Sequence, residues 1–343
     1  MTLTVEASTT VDSLMCVEES QQDVRWLKQM LQHAVNLEFA TIPPYLYALW
    51  SVKDRSSDAA GVLQGIAWQE MFHMGLACNL LSAIGEDPAI APPSYPGGLP
   101  GKVKPDLKNI RLEGLKAEPE DPDDILRVFM EIEAPEKPLA LWADEPTYPT
   151  IKAFYDAIRK CFTPDRRDLI KPNRPQATGW IGGDRLFEIT DREKAAEAID
   201  LISEQGEGAG ELPLETPRSG EKSHYYRFAE LWHGRALSYN AGAKKLEFGG
   251  ARIVRPAVHP LGRVPVGGWH DVSPELRHEL NAVNAEYGAM LKALRRVWST
   301  EQAPLKASID AMIRLDDAAK KLIECQSGAV CGPEFLSPRG SAA

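Results

Sequence analysis

The strongest pattern in the chain runs from Asp23 to Val52, where Leu27, Leu31, Ala34, Leu37, Ile42, Leu46 and Leu49 recur mostly at intervals of three and four. That period places one apolar face on a helix of about 23–52. Pro43 and Pro44 interrupt it, and two residues without a backbone donor predict a kink or a restart near Thr41, opening room beside Glu38. A polar loop from Lys53 to Ser57 leads to a second helix over about 58–84, closed by Gly85. Two long helices joined by so short a loop must be antiparallel neighbours.

The pattern then breaks up. Residues 91–190 form a long insertion: PPSYPGGLPGKVKP is turn-rich, DLKNIRLEGL alternates weakly like a strand, and DPDDILRVFMEIEAPEKP reads as a short capped helix or an extended segment. An amphipathic piece, PTIKAFYDAIRKCF (149–162), follows. Helical periodicity returns over about 191–207 and again from Ser219, a capping residue, to about 244. Two C-terminal helices are expected over about 274–298 and 303–324. The expectation is therefore one mainly helical domain spanning 1–343, with four core helices and no internal repeat.

Two charged positions contradict the apolar faces on which they lie. Glu70 has Leu63, Ile66, Ala67, Met74 and Ala77 at helical offsets, and His73 shares its face. Glu38 is set among Leu31, Ala34, Leu37, Ile42 and Tyr45. A buried carboxylate needs a partner or becomes neutral, and a metal cation uses both carboxylate and imidazole. Counting along each helix at ~1.5 Å per residue brings Glu38 and Glu70 to within roughly 3 Å of one height.

A carboxylate-bridged bundle takes Glu-x-x-His from two of its helices. Four such pairs occur, 70/73, 221/224, 230/233 and 275/278, where random placement gives roughly 0.6. The 221/224 and 230/233 pairs lie on opposite faces, so one of them can look inward. Height selects His224, because the third-helix carboxylate, Glu204 in ISEQGEG, lies near its helix end, and His233 would miss that level by about 14 Å. Glu221 is the natural fourth carboxylate, with Glu207 as a substitute for it or for Glu204. His33, His233, His259, His270 and His278 are expected at the surface or behind the ligands, and Tyr45 is a candidate for proton or electron transfer.

Composition narrows the function classes. A net charge of -10 with no basic run excludes an electrostatic nucleic-acid footprint. No apolar stretch is long enough for a membrane span, and the first twenty residues lack signal-peptide features. Five scattered cysteines without a CxxC pair argue against a thiolate zinc site and fit the reducing cytoplasm. The oxygen-rich donor set suits iron or manganese. No GxSxG or comparable nucleophile motif points to a hydrolase.

The blocks LEFATIPPYLYALWS, WQEMFHMGLACNLLSAIGEDP, FMEIEAPEKP, ISEQGEG and SHYYRF, with NAEYGAMLKAL and GPEF later on, resemble the ferritin-like family around the iminophenyl-pyruvate dimer synthase domain. The resemblance implies a ferritin-like four-helix bundle with a long insertion between its second and third helices and extra C-terminal helices. It implies two iron ions, with manganese as the alternative, and dioxygen as co-substrate. Glu38, Glu70, His73, Glu204 and His224 match the family's ligand blocks, and Glu221 precedes the last of them. The family's dimer synthases couple two imines derived from aromatic 2-oxo acids, in longer chains with further regions. The expected partner is a small aromatic or amino-acid-derived substrate, the exposed helix faces permit a homodimer, and metal storage or a non-catalytic scaffold are the competing readings.

Overall fold

The computed structural model describes residues 10–135, 150–206, 221–328 and 330–336. Nine α-helices lie among the described residues: α1 (Val11–Met15), α2 (Val24–Ser51), α3 (Asp58–Ala83), α4 (Ile125–Ile132), α5 (Ile151–Arg159), α6 (Arg192–Gly206), α7 (His224–His233), α8 (Pro274–Val297) and α9 (Leu305–Glu324). Two antiparallel hairpins complete them, β1 (Gly179–Ile181) with β2 (Asp184–Leu186) and β3 (Ser238–Asn240) with β4 (Lys245–Glu247).

Helices α2 and α3 pack along each other, α6 lies against α3, and α7 lies mainly against α4, touching α3 and α6. Asp23 caps α2 by accepting from the backbone N–H groups of Arg25 and Trp26, and Ser57 caps α3. Gly85, at φ +86°, ends the α3 turn as a left-handed stop. Of the kink or restart expected at Pro43–Pro44, the restart does not occur, for α2 runs as one helix through both prolines. The carbonyl of Ala40, which the missing N–H of Pro44 would leave bare, accepts instead from the Tyr95 hydroxyl at 2.7 Å.

The fourth core helix is much shorter than its expected span to residue 244. Ser223 is its N-cap, and Gly234 turns left-handed at φ +63° and stops it, so the residues beyond pair as β3 and β4. DLKNIRLEGL forms no ladder: apart from the single bridge Gly97–Ile110 it is extended, burying Ile110, Leu112 and Leu115.

The α8–α9 hairpin covers α2 and α3 from outside, tied by Trp298 to Asn79 and by Trp50 to Asp316, both at 2.7 Å. Asn79, fully buried, joins three elements: its amide donates to the carbonyls of Ala177 and Phe187, and its oxygen accepts from Ala177 N–H and the Trp298 indole. Replacing Asn79 by leucine strands three buried polar groups and one half-buried carbonyl, the buried ones costing about 1–3 kcal/mol each. The expected loss of at least about 3 kcal/mol is read from urea unfolding, and a loss below about 1 kcal/mol would refute this account of the joint.

Candidate metal centre

Five buried side chains converge from α2, α3, α7 and the C-cap of α4. The ligand atoms of Glu38, Glu70 and His73 lie within 4.8 Å of one another, as do those of Glu70, Glu133 and His224. Glu70 belongs to both groups, which is the arrangement a bridging carboxylate between two ions requires. Both imidazoles turn Nδ1 inward. Nδ1 of His73 is 3.5 Å from Glu38 Oε2 and 3.6 Å from Glu70 Oε1, while Nδ1 of His224 is 2.8 Å from Glu70 Oε1 and 3.8 Å from a Glu133 oxygen. The His224 contact lies outside hydrogen-bonding geometry, so this buried nitrogen has no hydrogen-bond partner. A donor atom left in that state fits coordination of a cation.

The remaining lone pairs are held by hydroxyls. Tyr155 donates to Glu38 Oε1, Thr41 lies 2.6 Å from Glu70 Oε2, and Tyr45 donates to Glu133 Oε1 at 2.6 Å. Burial, reinforced by the facing carboxylates, raises both tyrosine pKa values well above 10, so the phenols keep their protons. Tyr45, the expected transfer residue, thus orients Glu133 and also packs edge-on against Phe129 and Phe228.

Behind each imidazole stands a glutamine and behind each glutamine a carboxylate. His73 Nε2 is 2.7 Å from Gln205 Oε1, whose amide nitrogen donates to Asp184 at 3.3 Å. His224 Nε2 is 3.1 Å from Gln69 Oε1, whose amide nitrogen donates to Glu221 at 3.1 Å. Arg227 can only donate and sits 2.7 Å from Gln69 Oε1, which fixes that amide's orientation. Each imidazole is thereby made to donate from Nε2, leaving the Nδ1 lone pair facing the centre.

The structure brings Glu38, Glu70, His73 and His224 together and rearranges the rest. Glu221 is no part of either group, because it precedes the Ser223 cap and the three-residue helical offset to His224 does not apply across a helix start. Its side chain is 55% exposed, pairs with Arg227 and anchors Gln69. Glu204 is half-buried and joins neither group among the described residues, since its neighbour Gln205, about 100° further round α6, faces His73. Glu207 lies outside the described residues. His233 pairs with Glu120 and stacks on Phe248, and His270 and His278 are exposed.

Glu133, at the C-cap of α4, is the third carboxylate of the two groups, where spacing favoured Glu204 and Glu221, and was missed because it follows a short helix inside the insertion. A signal was present in the sequence. An acid at a helix C-terminus opposes the macrodipole, and one that shares the apolar face of Phe129, Met130 and Ile132 needs a compensating cation.

Burial and its neighbour Glu70 push the Glu38 carboxyl up to about 7 despite His73. Burial disfavours charge on His73, yet Glu38 and Glu70 outweigh it and raise the imidazole to about 10. Burial opposes ionisation of Glu70, but His224 and His73 hold it well below the usual carboxylate range. In the metal-free chain His73 is therefore charged at neutral pH, and its stabilising effect is complete below its unfolded value of 6.5 and lost as pH rises toward about 10. Coordination through Nδ1 must expel that proton. Metal uptake at pH 8 is expected to release at least about one proton per chain, with affinity falling as pH is lowered; a pH-independent affinity between pH 7 and 9 would contradict it.

A narrow cleft stands over the centre, walled by Leu37, Ile132, Ile151 and Ile202, with Lys152 also on its lining. Lys152 pairs with Asp156 at 2.6 Å and is about one-third exposed. No helix among the described residues is long and apolar enough to cross a membrane.

A model of the ferritin-like family matches residues 31–233. Among solved structures the chain is similar to a ferritin-like protein from Caulobacter vibrioides, at 23% identity over 91% of this chain and 98% of that one, with a TM-score of 0.64. At that identity the likeness concerns the fold. No curated protein matches the chain.

Proposed function

The chain belongs to the ferritin-like family, and from that premise we propose that it is a dinuclear metal oxidase or oxygenase that uses dioxygen on a small amino-acid-derived substrate. The observation that carries the reading is Glu70 shared between two buried carboxylate–imidazole groups. Glu38 and His73 would hold one ion, Glu133 and His224 the other, with Glu70 between them. Carboxylate and imidazole donors favour iron, with manganese as the alternative. When bound, two iron ions would supply the reduction of dioxygen and the oxidation of the substrate.

The chain's own residues then bind, orient and exclude. Leu37, Ile132, Ile151 and Ile202 keep bulk water from the cleft and accept an apolar or aromatic group. Lys152 offers a cation to a substrate carboxylate, which an amino-acid-derived molecule carries. Tyr155 and Tyr45 keep their phenolic protons and direct them at Glu38 and Glu133, within one hydrogen bond of the reacting volume. Oxidative coupling of two aromatic imines is the finer form of this reading. It rests on the sequence blocks alone.

The test is anaerobic reconstitution with Fe(II), followed by exposure to oxygen with and without aromatic amino-acid-derived acids. The expected result is about two irons per chain, an oxygen-dependent optical change, and oxygen consumption that rises with the right acid. Oxygen uptake that stops after one filling, whatever acid is added, would mark a storage protein. Absence of bound iron, with stability unchanged by Fe(II), would remove the centre altogether.

A further inference from the structure

Glu133 differs from the other four ligands in lying outside a helix proper, on the C-cap of the eight-residue α4. It meets His224 because α4 and α7 run antiparallel. At one end of the pair Arg255 donates to Asp124, the N-cap of α4, and to the carbonyl of Leu231 in α7. At the other end a Glu133 oxygen comes to 3.8 Å from His224 Nδ1. The last carbonyls of a helix have no partner within it, and the negative end of the macrodipole falls on them. A helix this short frays there unless something takes those carbonyls, and fraying would carry Glu133 away from His224.

Lys104 takes them. It follows the turn Pro100–Lys102, and its Nζ donates to the carbonyls of Glu131 at 3.1 Å, Ile132 at 2.7 Å and Ala134 at 3.0 Å. An ammonium carries three N–H groups, and here they bracket Glu133 from both sides. Two further features mark the residue. Its side chain is buried, with the residue only 4% exposed, where a lysine is seldom found. Its backbone lies in the left-handed region at φ +52°, with the Leu107 N–H donating to its carbonyl at 3.0 Å. A residue with a β-carbon adopts that conformation rarely and keeps it where the surroundings over-determine it.

We propose that Lys104 is a positioning residue for the second ion. By clamping the carbonyls of Glu131, Ile132 and Ala134 it fixes the backbone from which the Glu133 carboxylate projects, and so sets Glu133 against His224. The inference rests on the dinuclear reading of the centre, and Lys104 acts through the backbone rather than as a ligand.

The experiment is anaerobic isothermal titration calorimetry of the full chain with Fe(II), on the native protein, Lys104→Met, Lys104→Gln, Glu133→Gln and the double variant Lys104→Met/Glu133→Gln. In Lys104→Met the second ion is expected to bind at least about tenfold more weakly, and the first as in the native chain. Lys104→Gln keeps two donors on a shorter side chain and is expected to fall between. In the double variant the remaining ion is expected to bind as it does in Glu133→Gln alone, because a residue acting through Glu133 has nothing to act on once that carboxylate is gone. A residue that merely held the fold together would weaken the first ion as well and would add its effect to that of Glu133→Gln. Two ions bound to Lys104→Met with native affinities overturn the proposal, and so does an equal loss of both. Should circular dichroism show Lys104→Met unfolded, Lys104→Gln decides on the same terms. A native chain that binds no Fe(II) removes the dinuclear reading and this inference with it, whereas two ions in the native chain and in every Lys104 variant remove the role of Lys104 alone.

Discussion

Glu70→Ala is expected to empty both metal positions at once, taking a chain that holds about two ions after reconstitution to one that holds almost none. Glu70 is the single residue common to both ligand groups, so its loss removes a donor from each ion. The variant also disturbs the metal-free protein. Glu70 is buried against the imidazoles of His73 and His224, and breaking such a network costs about 3–5 kcal/mol. The sign with pH follows from the depressed carboxyl: its contribution is present above the ordinary value of 4.5 and is lost as pH falls toward its lowered folded value. Urea unfolding at pH 7 and pH 3 is therefore expected to show a smaller gap between native and variant at the lower pH. Retention of one full equivalent of metal in Glu70→Ala would sink the bridging role.

The second large effect separates Glu133 from the two acids that sequence spacing favours. Glu133→Gln is expected to lower metal content from about two ions per chain to about one, since His224 keeps only Glu70 beside it. Glu221→Gln retains both ions with affinity reduced by about 10–100-fold, as an anchor behind Gln69 rather than a ligand. Glu204→Gln retains both. Metal content by elemental analysis after equilibrium dialysis decides among the three. Full retention in Glu133→Gln together with loss in Glu204→Gln would reverse the assignment.

These contrasts show how far the chain could be read without its tertiary structure. The α2–α3 hairpin was legible because both helices carry long, uninterrupted apolar periodicity and because Glu38, Glu70 and His73 violate it. His224 was reached through the Glu-x-x-His pairs and a height argument that leaned on Glu204, which joins neither group among the described residues. The prolines do not restart the helix, because the donor that replaces the missing N–H at the Ala40 carbonyl, Tyr95, lies 55 residues away. The span of α7 misled: helical spacing counts residues but does not locate the cap, and Ser223 and Gly234 cut the segment to ten residues.

What the sequence by itself determined is a helical chain with a buried acidic and imidazole surface, since period and polarity are local properties of the residues. Only the tertiary structure decided which distant segments complete that surface. Glu133 and Tyr155 come from the insertion, Gln205 displaces Glu204 by a rotation of one residue, and Glu221 stands two layers behind the centre. The reason is physical: a metal-binding donor set is fixed by distances of a few ångströms between groups up to 154 residues apart, and no periodicity along a chain encodes where its loops return.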